Sequence, residues 1–208
     1  MKTMKFTLYI ALMAVLVVFS ACEDASLNPI KPYETAVHGQ GLLTADSPKN
    51  FKEGDLTTPM KINLAWRSID GLNTVTKMDL FITWNEAYLD NDKNPRVAAL
   101  GTRKLKTVEG GTVPANNANL LLNISPNDIA TLFADAQFDY GDGKGKVSVF
   151  SAPKKPNRTA TTKFITDDSF SLSWGFTTAD GRYFDSWSPA VCAELVGANC
   201  SVAWKVTK

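Results

Sequence analysis

Beyond Pro59 hydrophobic and polar residues alternate with a period of two, the pattern of strands buried on one face. In "MKINLAWR", Met60, Ile62, Leu64 and Trp66 share one side, and Lys61, Asn63 and Arg67 the other. "KMDLFITWN" repeats the pattern, with Met78, Leu80, Ile82 and Trp84 inward and Asp79, Thr83 and Asn85 outward. The clearest run is "SFSLSWGF", where Phe170, Leu172, Trp174 and Phe176 alternate with Ser169, Ser171 and Ser173. Val202, Trp204 and Val206 close the chain with one more. Shorter runs predict strands at "LKTV" (105–108), "LLLNI" (120–124), "KVSVF" (146–150) and "TKFIT" (162–166), and "GLLTA" (41–45) can pair as an edge strand. Between the last two of the short strands, "SAPKKPNRT" reads as a Pro-rich turn.

Asp180-Gly181 is the strongest two-residue hairpin signal. One helix is signalled, at Ser125-Pro126-Asn127-Asp128. Ser is the N-cap, Pro takes the first helical position, and Asp suits the positive helix end. Ile129, Leu132 and Phe133 then share a face over about two turns. Short alternating strands joined by turns predict an all-β fold: an antiparallel, Ig-like β-sandwich with one short connecting helix. It occupies residues 37–208 as a single domain.

The N-terminus follows another rule. Lys2 and Lys5 precede an apolar run from Phe6 to Phe19, the layout of a signal peptide over residues 1–21. As a helix that run rises roughly 21 Å, short of the ~30 Å hydrocarbon core of a bilayer. Ser20 and Ala21 lead into Cys22 in a segment that resembles a bacterial lipobox, although Phe19 stands where Leu is commonest. The resemblance implies cleavage before Cys22, a thioether-linked diacylglycerol on its sulfur, and an N-acyl chain. The alternative is ordinary cleavage after Ala21, with Cys22 left a free thiol. Residues 22–36 carry two prolines and no periodicity, and read as the lipidated cysteine and a flexible tether spanning roughly 20 Å.

Cysteine parity agrees with lipidation. Three cysteines in an exported chain leave one over, and acylated Cys22 would leave Cys192 and Cys200 to close a short disulfide loop. Chain entropy sets its worth at about 2.5 kcal/mol; the alternative is two reduced thiols. Formal charge is +1, and without the two leader lysines 20 basic residues face 21 acidic ones. That balance lacks the basic field of a nucleic-acid binder.

The order of elements, with the acid-rich turn "NEAYLDNDKN", "LKTVEGG", the Ser-capped helix and the hairpin "DDSFSLSWGFTTADGRYF", resembles a known family. It is similar to small Bacteroidetes-type surface lipoproteins encoded beside Sus-like nutrient-uptake systems, over roughly residues 60–192. The resemblance implies an outer-membrane, cell-surface location and an accessory or glycan-binding role. Related chains often carry a further C-terminal β domain, whereas this sequence ends at Lys208. Glu23 and Asp24 resemble the export signals that follow the lipidated cysteine.

Catalytic chemistry has little to stand on. His38 is the only histidine and falls in the irregular N-terminal region, away from any triad or zinc-ligand pattern. "DNDKN" (90–94) offers alternating oxygens, but a calcium loop would need Gly where Arg96 stands and Glu where Gly101 stands, so it reads as a hairpin turn. "DYGDGKGK" likewise reads as a tight turn. The expectation is a non-enzyme with no cofactor and no metal. Trp66, Trp84, Trp174 and Trp204 fall on inward positions and read as core. Trp187, flanked by Ser and Pro, and Tyr88, in the acid-rich turn, are the candidates for stacking on a glycan. The expected partners are the membrane, through the anchor, and a glycan ligand or outer-membrane uptake proteins. The competing class is a structural or protein-interaction lipoprotein of the envelope with no small ligand.

Overall fold

The inward set of each alternating run is buried in one hydrophobic core between two sheets. The computed structural model describes residues 36–68, 70–150, 158–185 and 198–208. The sandwich lies in one compact unit, Thr35–Lys208. Strands β1 (Val37–Leu43), β3 (Met60–Ser68) and β6 (Leu120–Ile124) make a three-stranded antiparallel sheet in the order β1-β3-β6. The facing sheet runs β2 (Phe51–Lys52), β11 (Ser201–Thr207), β9 (Ser169–Thr178), β4 (Val75–Leu89) and β5 (Pro95–Glu109), with β10 (Tyr183–Phe184) beside β9. β7 (Gln137–Asp139) and β8 (Lys146–Ser148) form a separate small ladder. The fold is an all-β sandwich, antiparallel apart from the two-residue β2–β11 pair, which is parallel.

Met60, Ile62, Leu64, Met78, Leu80, Ile82 and Trp84 are fully buried, and the four tryptophans expected in the core are all there. Trp84 holds the aromatic centre, edge-on to Phe133 and Phe164 and stacked on Phe150 and Phe170. Each buried large side chain contributes about 1.5–3 kcal/mol by transfer from water. The helix α1 (Pro126–Leu132) begins where its signal predicted. Ser125 and Asp128 form a capping box, and Ile129 and Phe133 carry the helix onto the core. Asp180-Gly181 turns β9 into β10, with Gly181 at φ 84°.

Four expectations are corrected. "TKFIT" is not a strand: residues 162–166 pair with no neighbouring strand and run as bends into a turn, with Phe164 and Ile165 both buried. Asp168 closes that segment as a turn, its amide donating to Ile165 O and its carboxylate accepting from Ile165 N–H. "NEAYL" is strand rather than turn, because β4 runs on to Leu89 and pairs with β5 as far as Pro95. "LKTV" is only part of the 15-residue β5. His38 lies on β1, opposite Arg67 of β3, not in irregular chain.

Outside the core, Asp79 is buried on the outer sheet face between Lys104 (3.0 Å), Lys77 (3.5 Å) and the Thr107 hydroxyl. Burial pushes its carboxyl up, but the Thr107 and Lys104 hydrogen bonds and both lysine charges outweigh it, and its pKa is lowered. A lowered folded pKa adds stability that is present above the ordinary Asp value and lost as pH falls through the folded value. The thermal midpoint should therefore drop as pH falls below the ordinary Asp value, and Asp79→Asn should flatten that slope in a pH series of melts.

Candidate functional site

Two polar constellations stand out, one sealed and one open. The sealed one forms where β4 outruns its neighbour. β9 begins at Ser169, opposite Asn85, so the Ala87 N–H has no β9 partner. Asp168 Oδ1 accepts that N–H at 2.8 Å. Arg158 then binds Asp168 through two nitrogens (2.8 and 3.0 Å) and Glu86 Oε1 through Nε (3.0 Å). It also donates to Lys163 O, and its guanidinium lies 5.4 Å from the Trp84 ring centroid. The Tyr140 hydroxyl donates to Glu86 Oε2. All three charged side chains are 1% exposed or less. Burial opposes the charge on Arg158, yet Asp168 and Glu86 hold its pKa up, while burial pushes the Asp168 carboxyl upward. Both carboxylates face a shared arginine rather than an opening, so the cluster acts as a clamp between residues 158–168 and β4.

The open one is a cleft of about 480 Å³ lined by Arg67, Ser68, Asp70, Gly71, Asn116 and Asn117. It lies between the β3–β4 and β5–β6 connections, and paired hydrogen bonds fix its walls. Asn116 behaves as a strand would, its Oδ1 accepting the Ser68 N–H and its Nδ2 donating to Ser68 O. The Asn117 N–H donates to Trp66 O, and its φ of 63° is one that Asn tolerates better than most residues. The Trp66 indole donates to Pro114 O. Arg67 Nε donates to Asn117 Oδ1 at 2.9 Å, fixing the plane of the guanidinium. Asp70 Oδ1 accepts from the Ser68 hydroxyl and the Leu72 N–H, closing its own turn. His38, across the ladder from Arg67, is buried, with its pKa lowered by burial and then by the Arg67 charge.

Of the site residues expected from sequence, Cys22, Trp187 and Cys192 lie outside the described residues. Cys200, half-buried just ahead of β11, is not a free thiol. Tyr88 sits on β4, half-buried, edge-on to Tyr140 (centroids 4.9 Å apart) and near Phe138. Asp90 spends Oδ1 on the Asp92 and Asn94 N–H groups and Oδ2 on Arg96, as a hairpin turn requires. Periodicity put Arg67 on an outward position but gave no hint that Asn116 and Asn117, some fifty residues on, would stand beside it. The only trace is "PANNA", a turn composition with an Asn suited to positive φ.

No family model matches the chain, and no curated protein matches it in sequence.

Proposed function

We propose that the protein is a lipid-anchored lipoprotein of the outer membrane, held at the cell surface. Its β-sandwich would serve as an accessory or glycan-binding module of a nutrient-uptake system. The observation that carries this reading is Ser20-Ala21-Cys22, placed at the end of an apolar run too short to span a bilayer. Each buried CH₂ of an acyl chain contributes about 0.8 kcal/mol, so two or three chains make release negligible. Anchoring raises the local concentration of the domain beside its partners. Cys192 pairs with Cys200 in this reading, which the bonded state of Cys200 supports. Trp187 and Tyr88 remain its candidates for sugar stacking, and no catalytic step is assigned.

The test is fractionation with intact mass. The native product should partition with membranes and carry the mass of a diacylglycerol-modified chain beginning at Cys22, and Cys22→Ala should release it into the soluble fraction. A native chain without fatty acid, free in solution, would sink the reading.

One observation favours the second reading, an envelope interaction protein with no small ligand. On the outer face of the β4–β5 hairpin, Ala87 pairs with Val97 and Leu89 with Pro95, and Val97 is 68% exposed. Glycan binding by the purified domain against co-purification of an envelope protein separates the two.

A further inference from the structure

We infer that the cleft beside Arg67 is a binding site for a carboxylate, carried in the glycan-binding reading by an acidic sugar. The argument is an inventory of donors and acceptors. Asn116 has both side-chain groups occupied by the Ser68 backbone. The Ser68 hydroxyl donates to Asp70 and accepts from the Asn73 N–H. Asp70 Oδ1 is taken up by its own turn. On the Arg67–Asn117 wall what remains is donor, while the Asp70 carboxylate, which also lines the cleft, is itself partnered. Among the described residues, Arg67 is engaged only through Nε, leaving its two terminal nitrogens open, and Asn117 is engaged only through Oδ1 and its backbone, leaving Nδ2 open.

A guanidinium locked by Nε presents its terminal edge as a planar fork, the geometry that binds a carboxylate with two parallel hydrogen bonds. Asn117 Nδ2 adds a neutral donor for a neighbouring hydroxyl or ring oxygen. Because Asn116 and the Asn117 amide already hold these walls, binding orders little further chain. The cleft volume is in the range of small-ligand sites and takes one or two sugar rings. Leu72, next to Gly71 and 80% exposed, offers an apolar surface for a ring face.

This inference rests on the ligand-binding reading of the preceding subsection, and the experiment tells the two apart. The full-length protein, solubilised with its anchor, is titrated calorimetrically with an oligouronide, with the same oligosaccharide after carboxyl reduction, and with succinate. Arg67→Gln and Asn117→Gly are run beside the wild type; both positions are exposed, and Gly keeps the positive φ. The wild type should bind the oligouronide, and carboxyl reduction or Arg67→Gln should each weaken binding about tenfold or more. Succinate binding that also needs Arg67 supports the carboxylate site, with a free acid as the source. Equal binding of the reduced and acidic sugars, indifferent to Arg67→Gln, overturns the inference while leaving glycan binding standing. No binding of any carboxylate probe at millimolar concentration overturns it outright.

Discussion

Arg158→Met should cost about 3–5 kcal/mol of folding stability, read as a fall in the urea midpoint without a change in slope. The substitution keeps an apolar stem against Trp84 but leaves Glu86 and Asp168 buried without their cation. An unpaired buried carboxylate cannot recover its water, and that desolvation penalty sets the size of the effect. The damage should be local before it is global. Arg158 closes residues 158–168 over Phe164, and Phe164 packs edge-on against Trp84. Loosening that segment should change tryptophan emission and raise dye binding in the native baseline. A triple variant, Arg158→Met with Glu86→Gln and Asp168→Asn, removes every charge of the cluster and should recover a large part of the loss. If the single variant costs under about 1 kcal/mol, the cluster is not the clamp described here.

The same cluster shows where sequence reasoning stops. The alternation that placed Met78, Leu80, Ile82 and Trp84 inward puts Glu86 and Tyr88 in phase with them, and the structure keeps that phase through Glu86. The acid-rich composition of "NEAYLDNDKN" reads as a turn instead, and burial of a Glu without a partner is prohibitive. Its partner is Arg158, 72 residues away. That pairing depends on how residues 158–168 fold back over the far end of β4, and no local period carries that information. The strands of the core were legible for the opposite reason, since side-chain alternation and burial are local consequences of one extended backbone. The cleft falls between these cases. Arg67 is readable as outward, while Asn117 beside it follows from the path of the β5–β6 connection.

β1 is not legible as a full strand because two of its four inward positions, Gly39 and Gly41 between Val37 and Leu43, have no side chains to alternate. The structure explains their absence. The Trp174 indole fills the space where their side chains would project: a Cβ on Gly39 would sit 2.2 Å from Trp174 Nε1 and 2.8 Å from Phe176, and one on Gly41 2.7 Å from the indole. Gly39→Ala should therefore destabilise the domain by about 3 kcal/mol, at the upper end of overpacking in a close-packed core. Trp174 is 4% exposed and cannot swing aside cheaply, so β1 must lift. Lifting β1 strains its bonds to Asn199, which holds Gly41 through both side-chain atoms at 2.7 Å and donates its own N–H to Gly39 O. Each such bond is worth about 1 kcal/mol.

Gly71→Ala is the control, since Gly71 has open space around its Cβ position but a φ of 72°. Its cost is conformational alone, about 1 kcal/mol. Gly39→Ala with Trp174→Leu should cost less than the sum of its parts, because the smaller side chain vacates the space the new methyl needs. Equal losses for Gly39→Ala and Gly71→Ala, with additive behaviour in the pair, would mean that β1 does not pack against the indole as closely as described. In the lipid-anchored reading proposed above, with residues 22–36 as the tether, the outcome matters beyond stability. The anchor would pull on the body through β1, and the seat of that strand against Trp174 and Asn199 is what would resist the pull.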